Sequence, residues 1–252
     1  MKIRNILFVM VFMPVALSAQ VDTLYHLDSK LIKKYLKPSS NQYLVFIQRN
    51  GDPRQTYTYI WSRDVKFVNK KGKDLIEIKQ KWYASDTARV RYVYSLMDAQ
   101  DFSPIYHYTK MNKSIEAYDF YADKIRGSDS IANNTKKDFN LALAHPMLNW
   151  ELDLETFPLL DLKAGKRFAI NFYHPGGKGE PKVYEYKVIG EENISVIDGG
   201  TVACWKLRID YSEKTWAIFY ISKKGREVLR MDEDFGSGVR YKVKLSNAVP
   251  IR

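Results

Sequence analysis

Apolar and polar residues alternate with period two through most of the chain. Val90, Tyr92, Tyr94 and Leu96 fall on one side of an extended segment, and Arg89, Arg91, Val93 and Ser95 on the other, as a half-buried strand requires. Ile76, Ile78 and Trp82 alternate with Glu77, Lys79 and Lys81, and Val239, Tyr241, Val243 and Leu245 with Arg240, Lys242 and Lys244. Phe168, Ile170 and Phe172 repeat the pattern, and Tyr57, Tyr59 and Trp61 form an aromatic version of it. Further strands are expected around 42–48, 105–112, 116–125, 182–189, 202–210, 215–221 and 226–232. Alternation of this kind marks antiparallel sheet with one wet face, because parallel sheets buried on both sides read as continuous apolar runs.

Turn chemistry agrees with that reading. Asn50-Gly51-Asp52-Pro53, Lys71-Gly72-Lys73, Asp198-Gly199-Gly200 and Lys224-Gly225 each fall between strand-like runs, where residues tolerant of positive φ close hairpins. The expected fold is mostly β: a curved antiparallel sheet or half-barrel of roughly ten strands. Two helices complete it. A short one starts at Asp28 and stops at Pro38, and a central one runs from Pro146 to about Leu160, with Met147, Trp150, Leu154 and Phe157 at helical spacing. The central helix separates a front strand set, about 40–132, from a back set, about 166–246.

The N-terminus changes the context. Lys2 and Arg4 precede an uncharged run from Ile6 to Met13, and Ala16, Ser18 and Ala19 supply the small residues of a cleavage site, so residues 1–19 read as a signal peptide. Its apolar run is too short to span a bilayer, which needs about 20 residues. Cleavage after Ala19 leaves 252 − 19 = 233 residues, enough for a single β-rich domain over 20–252. The lone cysteine, Cys204, permits neither an internal disulfide nor a lipid anchor at the cut, and it reads as a small core residue. Of the formal charge of +11, two positive charges leave with the signal peptide. A basic protein of the periplasm or exterior meets anionic envelope components first, and nucleic acid drops out of the expected partners.

Candidate chemistry is sparse. His26, His107, His145 and His174 are scattered and read as incidental surface or hydrogen-bonded residues rather than metal ligands. Gly176-Gly177-Lys178-Gly179 reads as a hairpin loop, since it leads into another strand instead of a helix. Asp232-Glu233-Asp234 lacks the spaced ligands of a calcium loop and reads as a solvated turn. No nucleophile elbow is present and no cofactor or metal site is implied, although paired carboxylates of a glycosidase would be invisible at this level.

Two features point to binding. Tyr57, Tyr59, Trp61, Tyr92 and Tyr94 could line a curved sheet that holds an apolar or lipid-like ligand. Arg240, Lys242 and Lys244, with Lys79, Lys81, Arg89 and Arg91, would form a basic face for an anionic envelope component.

Asp101-Phe102-Ser103-Pro104-Ile105, the central helix, Leu162-Lys163-Ala164-Gly165-Lys166, Gly199 through Leu207, and Trp216 through Leu229 together resemble the periplasmic domain-of-unknown-function family 3108 over about 40–246. The resemblance implies a curved antiparallel sheet similar in architecture to periplasmic lipoprotein carriers, which shelter acyl chains in a half-barrel. It implies a non-enzymatic envelope protein and carries over no catalytic residue. The chain departs from the family pattern at Glu227-Val228-Leu229, where a Pro is usual. The first expectation is therefore an exported protein binding an apolar ligand. The alternatives are an interaction protein contacting anionic polysaccharide or a partner protein, and, third, a hydrolase.

Overall fold

The computed structural model describes residues 21–25, 34–52, 54–177 and 180–245. The cleavage segment, most of the N-terminal helix, His26, Pro53, and Lys178 and Gly179 of the glycine-rich loop lie outside the described residues.

Among the described residues, sixteen strands form one sheet, more than the roughly ten expected. They are β1 (Val21–Leu24), β2 (Ser39–Arg49), β3 (Thr56–Lys70), β4 (Lys73–Ala84), β5 (Arg91–Asp98), β6 (Pro104–Met111), β7 (Ser114–Phe120), β8 (Lys124–Gly127), β9 (Asn140–Ala142), β10 (Leu148–Asn149), β11 (Arg167–Tyr173), β12 (Lys182–Ser195), β13 (Thr201–Asp210), β14 (Trp216–Ser222), β15 (Val228–Asp234) and β16 (Gly238–Lys244). The front meander runs β2 to β9 and the back meander β11 to β16. The last strand returns to pair antiparallel with β2, from Gly238↔Arg49 to Lys244↔Tyr43. The sheet is open, with β9 at one edge and β1 at the other, where β1 and β10 pair parallel to β11. The extra strands are short pieces that alternation cannot resolve. The expected run 116–125, for example, divides into β7, a turn and β8.

Local chemistry places the turns. Lys71 and Gly72 have φ of 53° and 79°, the paired positive values of a two-residue hairpin loop between β3 and β4. Register shifts between Leu96 and Met97, Val188 and Gly190, and Tyr220 and Ile221 insert bulges, which increase local twist and help the sheet curl.

The central helix is not continuous. A 3-10 turn (Trp150–Leu152), a single α turn α1 (Asp153–Thr156) and another 3-10 turn (Phe157–Leu159) replace it. The Asn149 side chain accepts from the Glu151 N–H to open the first turn, and Leu152, at φ −114° and ψ 25°, interrupts the helical path. Pro158 removes a donor, and Leu160 is already extended. This plug sits inside the curled sheet. Leu152, Leu154, Phe157 and Leu159 are buried in one core with Trp61, Val65 and Ile78 of the front strands and Phe172, Tyr186, Leu207 and Phe219 of the back strands. Phe157 is its centre, with ring centroids 4.6 Å from Phe219 and 4.9 Å from Tyr186.

The two faces of several strands are reversed relative to expectation. On β5, Val93, Ser95 and Met97 are buried, whereas Tyr92 is 43% exposed. On β16, Lys242 is 5% exposed and Tyr241 37% exposed, so Arg240, Lys242 and Lys244 point to the concave side. Tyrosines tolerate the outer face because their hydroxyls stay wet or bonded: Tyr94 donates to Glu77 (2.9 Å) and accepts from Lys70 (3.0 Å). Inward-pointing basic residues are tolerated where a carboxylate meets them: Glu151 of the plug meets Arg91, Glu233 of β15 meets Arg240, and Glu227 meets Lys244.

Candidate functional site

The site begins with a tryptophan pair. Trp61 of β3 and Trp82 of β4 are directly opposed in register and stack with centroids 4.0 Å apart and planes 11° from parallel. The Arg91 guanidinium covers Trp82 at 4.5 Å and the Lys242 ammonium covers Trp61 at 4.6 Å. Rings stacked this closely leave no space between them, so the cations take the two outer faces, and cation–π attraction at each end favours the arrangement.

Three acids of the plug, Glu151, Asp153 and Glu155, are each less than a tenth exposed. Arg63 of β3, itself 2% exposed, holds Glu155 with both arms of its guanidinium, the Nε bond measuring 2.8 Å. It also donates to Gln80 Oε1 and to the Glu151 carbonyl, both at 2.9 Å. Burial pulls the Arg63 guanidinium down, but the Glu155 carboxylate outweighs it, and Arg63 stays charged at any ordinary pH. Glu151 receives Arg91 at 2.9 Å and His174 at 3.2 Å. Burial raises the Glu151 carboxyl, Arg91 and His174 lower it more, and it ends below the usual carboxylate range. On the far wall, Arg240 bonds Glu233 of β15.

Lys242 differs from these cations. It has no hydrogen bond or ion pair among the described residues, and the Trp61 ring and the charge of Asp153 are what favour its ammonium. Burial pushes its amine down to about 8; Asp153 opposes that shift, and Arg240 and Arg63 add to it.

These side chains wall a cavity of about 580 Å³ that also includes Trp150, Tyr211 and Phe219. A second cavity of about 650 Å³, reaching Tyr59, Thr109 and Met111, shares Trp61, Trp82, Arg91, His174 and Arg240 with the first. They share walls and make one groove along the concave face, each cavity being within the size range of small-molecule sites. His174 to Gly177, directly after β11, line one end. Gly176 has φ 77°, and a Cβ there would meet the Tyr118 hydroxyl at 2.3 Å, so only glycine lets the loop pass that close.

Of the five aromatic residues expected at the ligand site, the structure brings Tyr59 and Trp61 into the groove. Tyr57 sits at its rim under Arg89, and Tyr92 and Tyr94 lie on the opposite, outer face. Of the expected basic face, Arg240 and Lys242 line the groove interior, and Lys244 is paired with Glu227 at 2.8 Å. Asp232 and Glu233 are buried strand residues rather than a solvated turn, matched by Arg230 and Arg240.

His107 is fully buried with Nδ1 bonded to Ser95 (2.9 Å) and Asn149 (3.1 Å), and burial lowers it to about 3, so it is a neutral structural residue. Cys204 is buried, as expected for a core thiol, and burial pushes it up to about 11. No cluster of three metal-ligating side chains occurs among the described residues. Sequence reasoning missed the plug acids, although Glu151, Asp153 and Glu155 inside an otherwise apolar segment were a signal that buried cations must meet them.

The family model described as a protein of unknown function, DUF3108, matches residues 43–244. A solved structure described as a beta-barrel-like protein of domain of unknown function DUF1849 from Brucella abortus superposes with a TM-score of 0.55 at 10% identity, covering 84% of this chain and 97% of that one. At that identity the likeness concerns the fold alone. No curated protein matches the chain.

Proposed function

The chain belongs to the DUF3108 family, and from that premise we propose that it is an exported, non-enzymatic protein of the cell envelope that holds an apolar, chain-like ligand in its concave groove. The groove itself carries the reading: two joined cavities of about 580 and 650 Å³, walled by Trp61, Trp82, Trp150, Phe219 and Met111 and held open by charged struts. A stacking platform for sugars fits less well, because both faces of Trp61 and Trp82 are already occupied and only their edges are free. Among the described residues no helix is long and apolar enough to cross a membrane.

Native mass spectrometry of protein gently purified from the envelope fraction tests the binding claim. A mass increment that organic extraction removes is expected, and its repeated absence overturns the reading. Export is tested separately. The mature N-terminus should be Gln20, and Val9→Arg should strand precursor in the cytoplasm, since a charge in the apolar run costs on the order of 2.5–3.5 kcal/mol on insertion. An intact Met1 on a cytoplasmic protein contradicts it.

A further inference from the structure

We propose that the groove selects a ligand carrying one negative charge, a carboxylate at the end of an apolar chain, and that the Lys242 ammonium is the group that receives it. The inference rests on the groove reading above and adds the ligand's head group. Four Lys and Arg cations line the cavity of about 580 Å³, and three are already matched: Arg63 by Glu155, Arg91 by Glu151 and Arg240 by Glu233. Lys242 alone among them has no carboxylate at ion-pair distance within the described residues.

A lysine that is 5% exposed is ordinarily paired, because an isolated buried charge is costly. The Trp61 ring offsets part of that cost but leaves the three N–H donors of the ammonium free. A carboxylate entering the cavity supplies the missing acceptor and the missing charge together. Its charge is limited to one because Lys242 is the single unmatched cation of this cavity, so a second negative charge would find no partner beside Asp153 and Glu233. Among the paired charges that also line the cavity, Trp150, Phe219, Met231 and Phe235 supply an apolar surface for an alkyl chain. Desolvation of the amine, which lowers it to about 8, still leaves it mostly protonated at pH 7.

Isothermal titration calorimetry of the mature protein at pH 7 with dodecanoate, dodecanol and dodecyl phosphate, each kept monomeric, tests the assignment. Dodecanoate should bind roughly tenfold or more tighter than dodecanol, the scale of one charge-assisted hydrogen bond. Dodecyl phosphate should bind no tighter than dodecanoate. In Lys242→Met the preference for the acid should vanish while dodecanol binding persists. Lys242→Gln, which keeps a polar group but no charge, should behave the same way.

Equal binding of acid and alcohol by the wild type, a preference that survives both substitutions, or tighter binding of the phosphate each overturns the carboxylate assignment and leaves the groove reading standing. If none of the three ligands binds, the groove reading fails and the head-group assignment falls with it.

Discussion

Arg63→Met should destabilise the protein by about 3–5 kcal/mol, the usual result of breaking a buried ion pair by removing one partner. The reason lies in what is left behind. Gln80 Oε1 keeps the Trp82 Nε1–H at 3.1 Å, and the Glu151 carbonyl keeps the Gln80 Nε2–H at 3.1 Å. Glu155, 7% exposed, loses its charge partner outright. The double variant Arg63→Met/Glu155→Leu should recover most of the loss, since replacing both members of such a pair by apolar groups is often neutral. Arg167→Met breaks the exposed pair with Glu185 and serves as the control, with an expected effect within about 1 kcal/mol. Urea denaturation of the four proteins measures all of this. If Arg63→Met costs no more than the control, the plug is not tied to the front strands through Arg63.

Lys242→Met should move stability the other way, raising it by roughly 1–3 kcal/mol at pH 7. A buried amine held at about 8, against an ordinary 10.5, costs the folded state about 3 kcal/mol when charged, from which the attraction to Trp61 subtracts. The sign with pH follows from proton counting. Between about pH 8 and 10.5 the unfolded chain holds the proton that the folded protein has released, so wild-type stability rises with pH across that window, and below it the penalty is present in full.

Lys242→Met removes this rise. Buried tyrosines such as Tyr43 and Tyr211, raised chiefly by burial, act in the opposite direction only as pH passes about 10. Thermal melts from pH 7 to 9.5 are therefore the clean comparison. Equal pH slopes for the two proteins would mean that the Lys242 amine is not desolvated.

Strand positions were legible because alternation has period two and needs only local sequence. Which face turns inward was not, because it depends on what the sheet curls around. In β5 and β16 the face richer in aromatic and β-branched residues looked like the core side, yet the basic face points inward. What decides it is the set of buried acids on the inside: Glu155 and Glu151 of the plug meet inward-pointing Arg63 and Arg91, and Glu233 of β15 meets Arg240. The plug itself was misread for a related reason. Met147, Trp150, Leu154 and Phe157 keep helical spacing, but a segment buried on every side is apolar at every period, and Pro158 and Asn149 set its true breaks. Trp61 and Tyr59 were visible as an aromatic strand face, whereas the meeting of Lys242 with Trp61 is a contact between positions 181 residues apart that no local pattern encodes.

That the concave groove holds an apolar chain is tested most directly by quenching with 9,10-dibromostearate, whose bromines extinguish tryptophan emission only on close approach. Trp61, Trp82 and Trp150 line the groove, and Trp216 packs with a separate cluster that includes Ile218 and Tyr220. Saturating ligand should remove a large share of the emission, and Trp216→Phe should leave the quenched component unchanged. Trp205 and Trp216, which line neither cavity, should keep emitting. Emission that saturating ligand leaves undiminished, or quenching that disappears in Trp216→Phe, would contradict the placement of the ligand in the groove.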